Sequence, residues 1–349
     1  MQSSEIIGWF ADIGLEDRPT VGGKGGSLGE LTRAKIPVPA GFVVRTAAFE
    51  RFIASLEKED PIRPKVEALG SQEMEKITAV SRELRERLEN ALLPEEVNSQ
   101  ILASLVELCG PGNNLPLAVR SSATTEDSAD ASFAGLQDTY LWVLGLEETL
   151  KYVRSCWASL YSVPSIAYRR KHGLPESGVA MAVVVQGMVN ACKAGVMFTR
   201  SPQTGDRSVV TIEAAWGLGS SVVSGEVTPD RFVVAKITGE ISVREINDKH
   251  IRHLPAPSGG VGEFETPEEM RREPCLSDAE ILALRDVARE IERHYGRPQD
   301  IEWSIDRSGQ ILLLQSRPET VWSAKQSAPV ARPAEDPLQH VMRLFGGRR

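Results

Sequence analysis

The hydrophobic period of this chain changes partway along, and that change limits the folds open to it. Residues 57–100 are dense in charge, yet Met74, Ile77, Val80, Leu84, Leu88 and Leu92 recur at steps of three and four. This is the apolar stripe of an amphipathic helix whose charges face solvent. From residue 117 onward the apolar runs are short, β-branched or aromatic, and bounded by Gly, Pro, Ser or Asp: 117–120, 138–144, 179–189, 195–199, 209–214 and 231–236. Such runs read as strands. A helix over 146–163 interrupts them, with Leu146, Leu150, Val153, Trp157 and Leu160 on one side. Another runs from Ser277 to about Tyr295, where Ser277 and Glu280 have capping-box spacing and Gly296 with Pro298 stops the helix. Hairpin strands with helices gathered apart from them predict an α+β fold rather than a doubly wound sheet.

Ahead of these elements lies a glycine cluster at 22–26, before an apparent helix start marked by Leu28 and Leu31. A Pro-punctuated extended segment follows at 36–44, and Thr46 reads as the N-cap of a helix carrying Phe49, Phe52, Ile53 and Leu56. Residues 324–349 are rich in Ala, Pro and Ser and read as a tail. No internal repeat stands out.

Composition narrows the class. With 349 residues, 41% hydrophobic and 25% charged, the chain is an ordinary globular protein able to bury a sizeable core. The formal charge of −8 argues against nucleic acid as a partner, which needs a basic surface, but permits a local basic pocket. Four scattered cysteines, with no CxxC pair, fit a reducing compartment. The first residues lack the basic and apolar regions of a signal peptide. The most apolar run, 179–189, is far short of the roughly 20 residues a bilayer requires. The expectation is a soluble cytoplasmic protein without a membrane partner.

Four segments carry candidate chemistry. Gly22-Gly-Lys-Gly-Gly-Ser27 is neither a Walker A loop nor GxGxxG; it is either a flexible turn or a backbone anion site with Lys24 as its point charge. Arg120 ends an apolar strand and is followed by closely spaced hydroxyl residues; this is either a capped surface loop or a phosphate grip built on the guanidinium fork. Glu213 ends another strand before a run of glycines, where it meets a ribose hydroxyl, a metal or solvent; Glu226 and Asp230 are weaker candidates. In the hairpin near the C-terminal end, a symmetric turn at 306–309 pairs Glu302 with Leu313 and Asp300 with Gln315. Asp300, Glu302, Gln315 and Arg317 then project from one face, with Ile301, Trp303 and Ile305 on the other. Carboxylate and amide oxygens are hard ligands suited to Mg²⁺. The five histidines, including the HxxH pair His250 and His253, read as solvated or structurally satisfied, and no nucleophile–base arrangement stands out.

Five ordered blocks carry a family resemblance: VGGKGGSLGELTRAKIPVPAGFVV, AVRSSATTEDSADASFAGLQDTYLWV, AGVMFTRSPQTGD, IEAAWGLGSSVVSGEVTPDRFVV, and DIEWSID with ILLLQSRPETVW. Together they resemble the N-terminal nucleotide-binding domain of phosphoenolpyruvate synthase and pyruvate phosphate dikinase, over about residues 6–323. The resemblance implies an ATP-grasp fold whose two α+β subdomains, 1–180 and 181–323, clamp ATP and Mg²⁺, with 324–349 trailing. It implies that Lys24, Arg120 and Arg317 bind phosphates and act in catalysis, within a loop containing Gly23 and Gly25, with Thr139 a further phosphate contact. The strand 181–186 would line the adenine, ending at Gln186. Glu213 would lie near the ribose or metal, and Glu302 and Gln315 would ligate Mg²⁺ with Asp300 beside them. The implied activity is a dikinase-type transfer that leaves AMP and passes the β-phosphoryl of ATP to a histidine on a swivelling domain. That domain's histidine loop is absent from this sequence, so the implied partner is a histidine-bearing subunit acting in trans. The arrangement resembles the small subunit of phenylphosphate synthase, with phenol as final acceptor. The alternatives are an excised domain of a phosphoenolpyruvate synthase or rifamycin phosphotransferase, or a non-catalytic ATP-sensing module.

Overall fold

A computed structural model describes residues 5–112, 114–124, 138–257, 259–320 and 322. The strands are β1 (Ile7–Trp9), β2 (Gly41–Val44), β3 (Leu117–Ala123), β4 (Thr139–Val143), β5 (Met181–Gly187), β6 (Ala191–Phe198), β7 (Val209–Trp216), β8 (Asp230–Ala235), β9 (Ile241–Glu245), β10 (Ile251–Pro255), β11 (Val261–Glu265), β12 (Gln299–Asp306) and β13 (Ile311–Pro318). They form a five-stranded sheet in the order β1-β2-β5-β3-β4, a six-stranded sheet in the order β13-β12-β6-β7-β8-β9, and the β10-β11 ribbon. All pairings within these sheets are antiparallel. The α+β class expected from the change of period is the class observed.

Each sheet has its own core. Helices Thr46–Leu56, Met74–Asn90, Glu95–Cys109 and Leu146–Ser159 contribute to the first. There Phe49 and Phe52 pack on Trp157 at ring-centroid distances of 6.0 and 5.2 Å, and the indole N–H of Trp157 donates to the Met181 carbonyl at 3.1 Å. That bond satisfies the one polar atom of the buried ring. Helix Asp278–Tyr295 covers the second sheet with Ile281, Leu284, Ala288 and Ile291 against Ile301, Trp303 and Ile305. Its predicted capping box is present, with the Glu280 N–H donating to Ser277 Oγ and the Ser277 N–H to Glu280 Oε2.

Several local expectations are corrected. Thr46 is the first helical residue, not the cap; Arg45 holds that position and its side chain makes no capping bond. The charged segment carries separate helices, because Pro94 starts a new one at Glu95. Only Ile77, Leu84 and Leu88 of the predicted stripe are buried, while Leu92 lies beyond the helix end and is 90% exposed. The helix expected over 146–163 stops at Ser159, and another begins at Val163. The glycine cluster sits inside helix Arg18–Arg33, which is kinked at Gly22 (φ 71°, ψ 178°). The boundary drawn at 180/181 also fails. β5 pairs with both β2 and β3 at the centre of the first sheet, and the chain crosses to the second sheet between Gly187 and Ala191. A buried apolar run has no mark that says which sheet it joins. The hydroxyl-bearing loop at 125–137 and the tail at 324–349 lie outside the described residues.

Candidate nucleotide site

The hairpin β12-β13 delivers the most chemistry, by a register other than the expected one. Its loop is Arg307–Gly309, closed by the Asp306 N–H donating to the Gln310 carbonyl at 3.1 Å, so Ile305 pairs with Ile311. Asp306 Oδ1 accepts from the Ser308 and Gln310 N–H groups at 2.8 and 2.9 Å, which fixes this turn over the symmetric one. A second irregularity follows between Glu302 and Trp303, where β13 inserts Leu314. There the Leu313 N–H donates to the Pro37 carbonyl at 2.8 Å. A β-bulge places two residues opposite one and restores the alternation beyond it. Glu302 therefore pairs with Gln315, and Asp300 with Arg317. The four polar residues share a face because of two departures from the simple register, and Ile301, Trp303 and Ile305 point into the core.

Opposite this hairpin stands Arg120, on β3. Its Nη2 donates to Glu302 Oε2 and to Gln315 Oε1, both at 3.0 Å, and its Nη1 donates to the Leu314 carbonyl at 2.9 Å. One guanidinium thus joins the two sheets and brings a carboxylate and an amide oxygen together. A second tie runs from Ser27 Oγ to the Ser316 carbonyl at 2.5 Å and holds the glycine-rich helix against β13.

Between the sheets lies a cleft of about 450 Å³. Gly23, Lys24, Arg120, Thr139 and Gln186 line it from one side, and Glu302, Gln315 and Arg317 from the other. Thr139 pairs with Arg120 across β3 and β4. Gln186 anchors itself by donating to the Pro39 carbonyl at 3.2 Å. One end of the cleft is apolar, with Met188, Val189, Leu218 and Leu314. Of the expected adenine strand only the end reaches the cleft; residues 181–185 are buried within the first sheet and its cores.

Three expected site residues lie off the cleft wall. The Gly25 N–H donates to Ser122 Oγ at 3.2 Å and the residue packs on Val43, a structural placement. Glu213 faces the same side as Glu302, because each pairs with Val196 of β6 from opposite flanks. Burial raises its carboxyl pKa, and neighbouring Arg231 opposes this. Asp300 lies 3.6 Å from Arg317 Nε. Burial is the main cause lifting it to about 6; Arg317 works against this and Glu319 with it.

Sequence reasoning missed Ser304 and the 218–220 turn as lining, together with the bulged Leu314. His253, read as solvated or structurally satisfied, is satisfied, between Ser220 and Glu226. The glycines of 217–219 were the only signal for that turn.

The donor chemistry suits Mg²⁺. Glu302 and Gln315 present two adjacent hard oxygens, and Mg²⁺ takes few protein ligands while keeping waters and phosphate oxygens.

A lysine, two arginines and two adjacent side-chain oxygens around a cleft between the two sheets make up an anion-binding site of an α+β domain. Comparison with known proteins gives the family: residues 18–336 match the model for the pyruvate phosphate dikinase AMP/ATP-binding domain, and the chain belongs to that family. It is 43% identical over 318 residues to a probable phosphoenolpyruvate synthase of Methanothermobacter thermautotrophicus, covering 90% of this chain and 46% of that protein. It is 41% identical over 321 residues to a rifampicin phosphotransferase of Streptomyces, covering 91% and 36%. Among solved structures, D-alanyl-alanine synthetase A of Vibrio cholerae matches at 12% identity and a TM-score of 0.29, over 69% of this chain and 54% of that one. The chain spans less than half the length of these two curated relatives. No helix among the described residues is long and apolar enough to cross a membrane.

Proposed function

We propose that this chain binds ATP with Mg²⁺ and carries out the nucleotide half of an AMP-forming phosphotransfer. In this reading a histidine imidazole supplied from outside these residues displaces AMP at the β-phosphorus of ATP, one water takes the γ-phosphoryl as inorganic phosphate, and the imidazole keeps the β-phosphoryl. The observation that carries it is the Arg120 junction, where one guanidinium gathers Glu302, Gln315 and the β13 backbone beside Lys24 and Arg317. Phosphoryl transfer asks a protein for positioning and charge neutralisation more than for covalent chemistry. Arg120 and Arg317 offer planar forks to phosphate oxygens, and Lys24 a point charge. Glu302 and Gln315 would hold the metal, which when bound supplies further neutralisation of the polyphosphate. The apolar end of the cleft excludes water around the base and strengthens these interactions. The four cysteines are free thiols, which suits the cytoplasmic setting included in the proposal.

The names of the curated relatives favour phosphoenolpyruvate synthase-type or antibiotic phosphotransfer over phenol as the final acceptor. The experiment mixes the chain with histidine-bearing segments of such proteins and ATP labelled at the β-phosphate. An acid-labile label on the partner together with AMP is the expected result. Absence of both, with every partner tried, sinks the proposal. Lys24→Ala and Arg317→Ala should each abolish AMP release with the fold intact, and undiminished turnover in both refutes their assignment.

A further inference from the structure

Three residues outside the phosphate machinery form a connected relay at the wall of the cleft. His253, on β10, has Nδ1 2.8 Å from Ser220 Oγ and Nε2 2.9 Å from Glu226 Oε2. The main chain that carries the imidazole is docked against the 217–218 backbone. The Leu218 N–H donates to the His253 carbonyl at 2.9 Å, and Gly217 passes so close that an added Cβ would lie 2.4 Å from that oxygen. Ser220 lines the nucleotide cleft beside Leu218, and it also lines a neighbouring cavity of about 520 Å³ that His253 and Trp142 share.

The proton inventory of the relay decides what Ser220 can offer. A carboxylate only accepts, so in the neutral tautomer that matches both contacts the imidazole hydrogen is on Nε2, facing Glu226. Nδ1 is then a lone pair, and the single hydroxyl hydrogen of Ser220 is given to it. What remains on Ser220 is acceptor capacity alone. We propose that Ser220 is a nucleoside-binding residue, held as a hydrogen-bond acceptor by His253 and Glu226, that receives a donor from the nucleoside: a ribose hydroxyl or the exocyclic amine of the base. His253 and Glu226 are positioning residues in this scheme. Beside Leu218 and Leu314 an acceptor without a spare hydrogen favours a ligand donor and disfavours a ligand acceptor, which leaves a buried polar atom unpaired. The inference rests on the reading that the cleft holds a nucleotide.

The test compares ATP, 2′-deoxy-ATP, 3′-deoxy-ATP and purine riboside triphosphate, which lacks the 6-amino group, binding to the full chain by calorimetry. Ser220→Ala should weaken ATP binding about tenfold, the scale of one hydrogen bond in a partly buried site. The same variant should bind unchanged the one analogue that lacks the donor in question, which separates ribose from base as its source. His253→Leu, which leaves Ser220 its lone pairs but no longer holds its hydrogen away from the ligand, should cause part of the same loss. His253→Asn, whose amide oxygen can still accept from the serine, should restore part of the loss. Equal binding of every analogue by wild type, Ser220→Ala and His253→Leu would overturn the inference, and so would a loss uniform across all analogues. If the wild-type chain binds none of these nucleotides, the underlying nucleotide reading has failed instead.

Discussion

Replacing Gly22 by alanine tests the geometry that turns Lys24 into the cleft. At φ 71° and ψ 178° Gly22 occupies backbone space that is essentially closed to residues with a Cβ, and forcing one there costs about 1–3 kcal/mol. An added Cβ would also lie 2.3 Å from both the carbonyl oxygen and Oγ of Ser122. Ser122 donates to the Val21 carbonyl at 2.9 Å and accepts from the Gly25 N–H at 3.2 Å, so displacing it endangers two buried hydrogen bonds worth about 1 kcal/mol each. The expected total is about 3–5 kcal/mol, or roughly a 4–7 °C fall in melting temperature for a chain of this size. Gly296 supplies the control. It ends helix Asp278–Tyr295 at φ 65° and ψ 11°, and nothing lies within 4 Å of the place an added Cβ would occupy, so Gly296→Ala should cost only the left-handed backbone penalty of about 1–2 kcal/mol. Thermal unfolding of the two variants in parallel, followed by circular dichroism, gives the comparison. Equal midpoints would refute the argument that close approach to β3, rather than backbone sign alone, makes glycine necessary at position 22.

Other expectations follow from single contacts. Trp303→Ala should cost about 3–5 kcal/mol for a fully buried ring. Trp303→Phe should cost less than half as much, because the indole N–H has no partner among the described residues and its removal leaves no polar atom stranded; equal losses in denaturant melts would contradict this. Glu302→Gln should raise the Mg²⁺ concentration needed for ATP binding by about tenfold or more, since an amide replaces a charged ligand; an unchanged Mg²⁺ titration removes Glu302 from the metal site. For Glu280, burial pushes the carboxyl up, but Lys193 at 2.6 Å and the Ser277 N–H and hydroxyl outweigh it, so the pKa is lowered on balance. A carboxyl depressed in the fold adds stability that is present above its unfolded value and lost as the pH falls through the folded one. Glu280→Gln should therefore cost about 1 kcal/mol at neutral pH and progressively less as the pH drops through about 4, by melts across pH; a pH-independent difference would reject the ion-pair account.

The sequence made elements legible where one local rule acted alone. The 3.6-residue stripe and capping box of helix Asp278–Tyr295 needed nothing from the rest of the chain, and both are present. Where two segments had to meet, local rules ran out. β5 carries no sign of its sheet partners, and its central place in the first sheet is set by β2 and β3, from parts of the chain more than 50 residues away. His253 was illegible for the same reason: its partners Ser220 and Glu226 lie in a different turn, and only the docking of its carbonyl on Leu218 brings them together.

The hairpin shows how a partly wrong derivation can still group the right residues. Period-two alternation puts Asp300 with Glu302, and Gln315 with Arg317, whatever the register between the strands. Register decides only whether the two pairs share a face, and the symmetric turn gave the wrong partners. The three-residue loop moves the pairing by one residue and the bulge at Leu314 by another, and a shift of two returns every side chain to its original face. The first shift follows from Asp306 capping its own turn, which sequence can suggest. The second depends on the Leu313 N–H finding the Pro37 carbonyl, which belongs to the opposite side of the cleft. The oxygen pair facing Arg120 is therefore a product of the docking between the two sheets, and a change at Pro37 that displaces its carbonyl should disturb Glu302 and Gln315 without touching either residue.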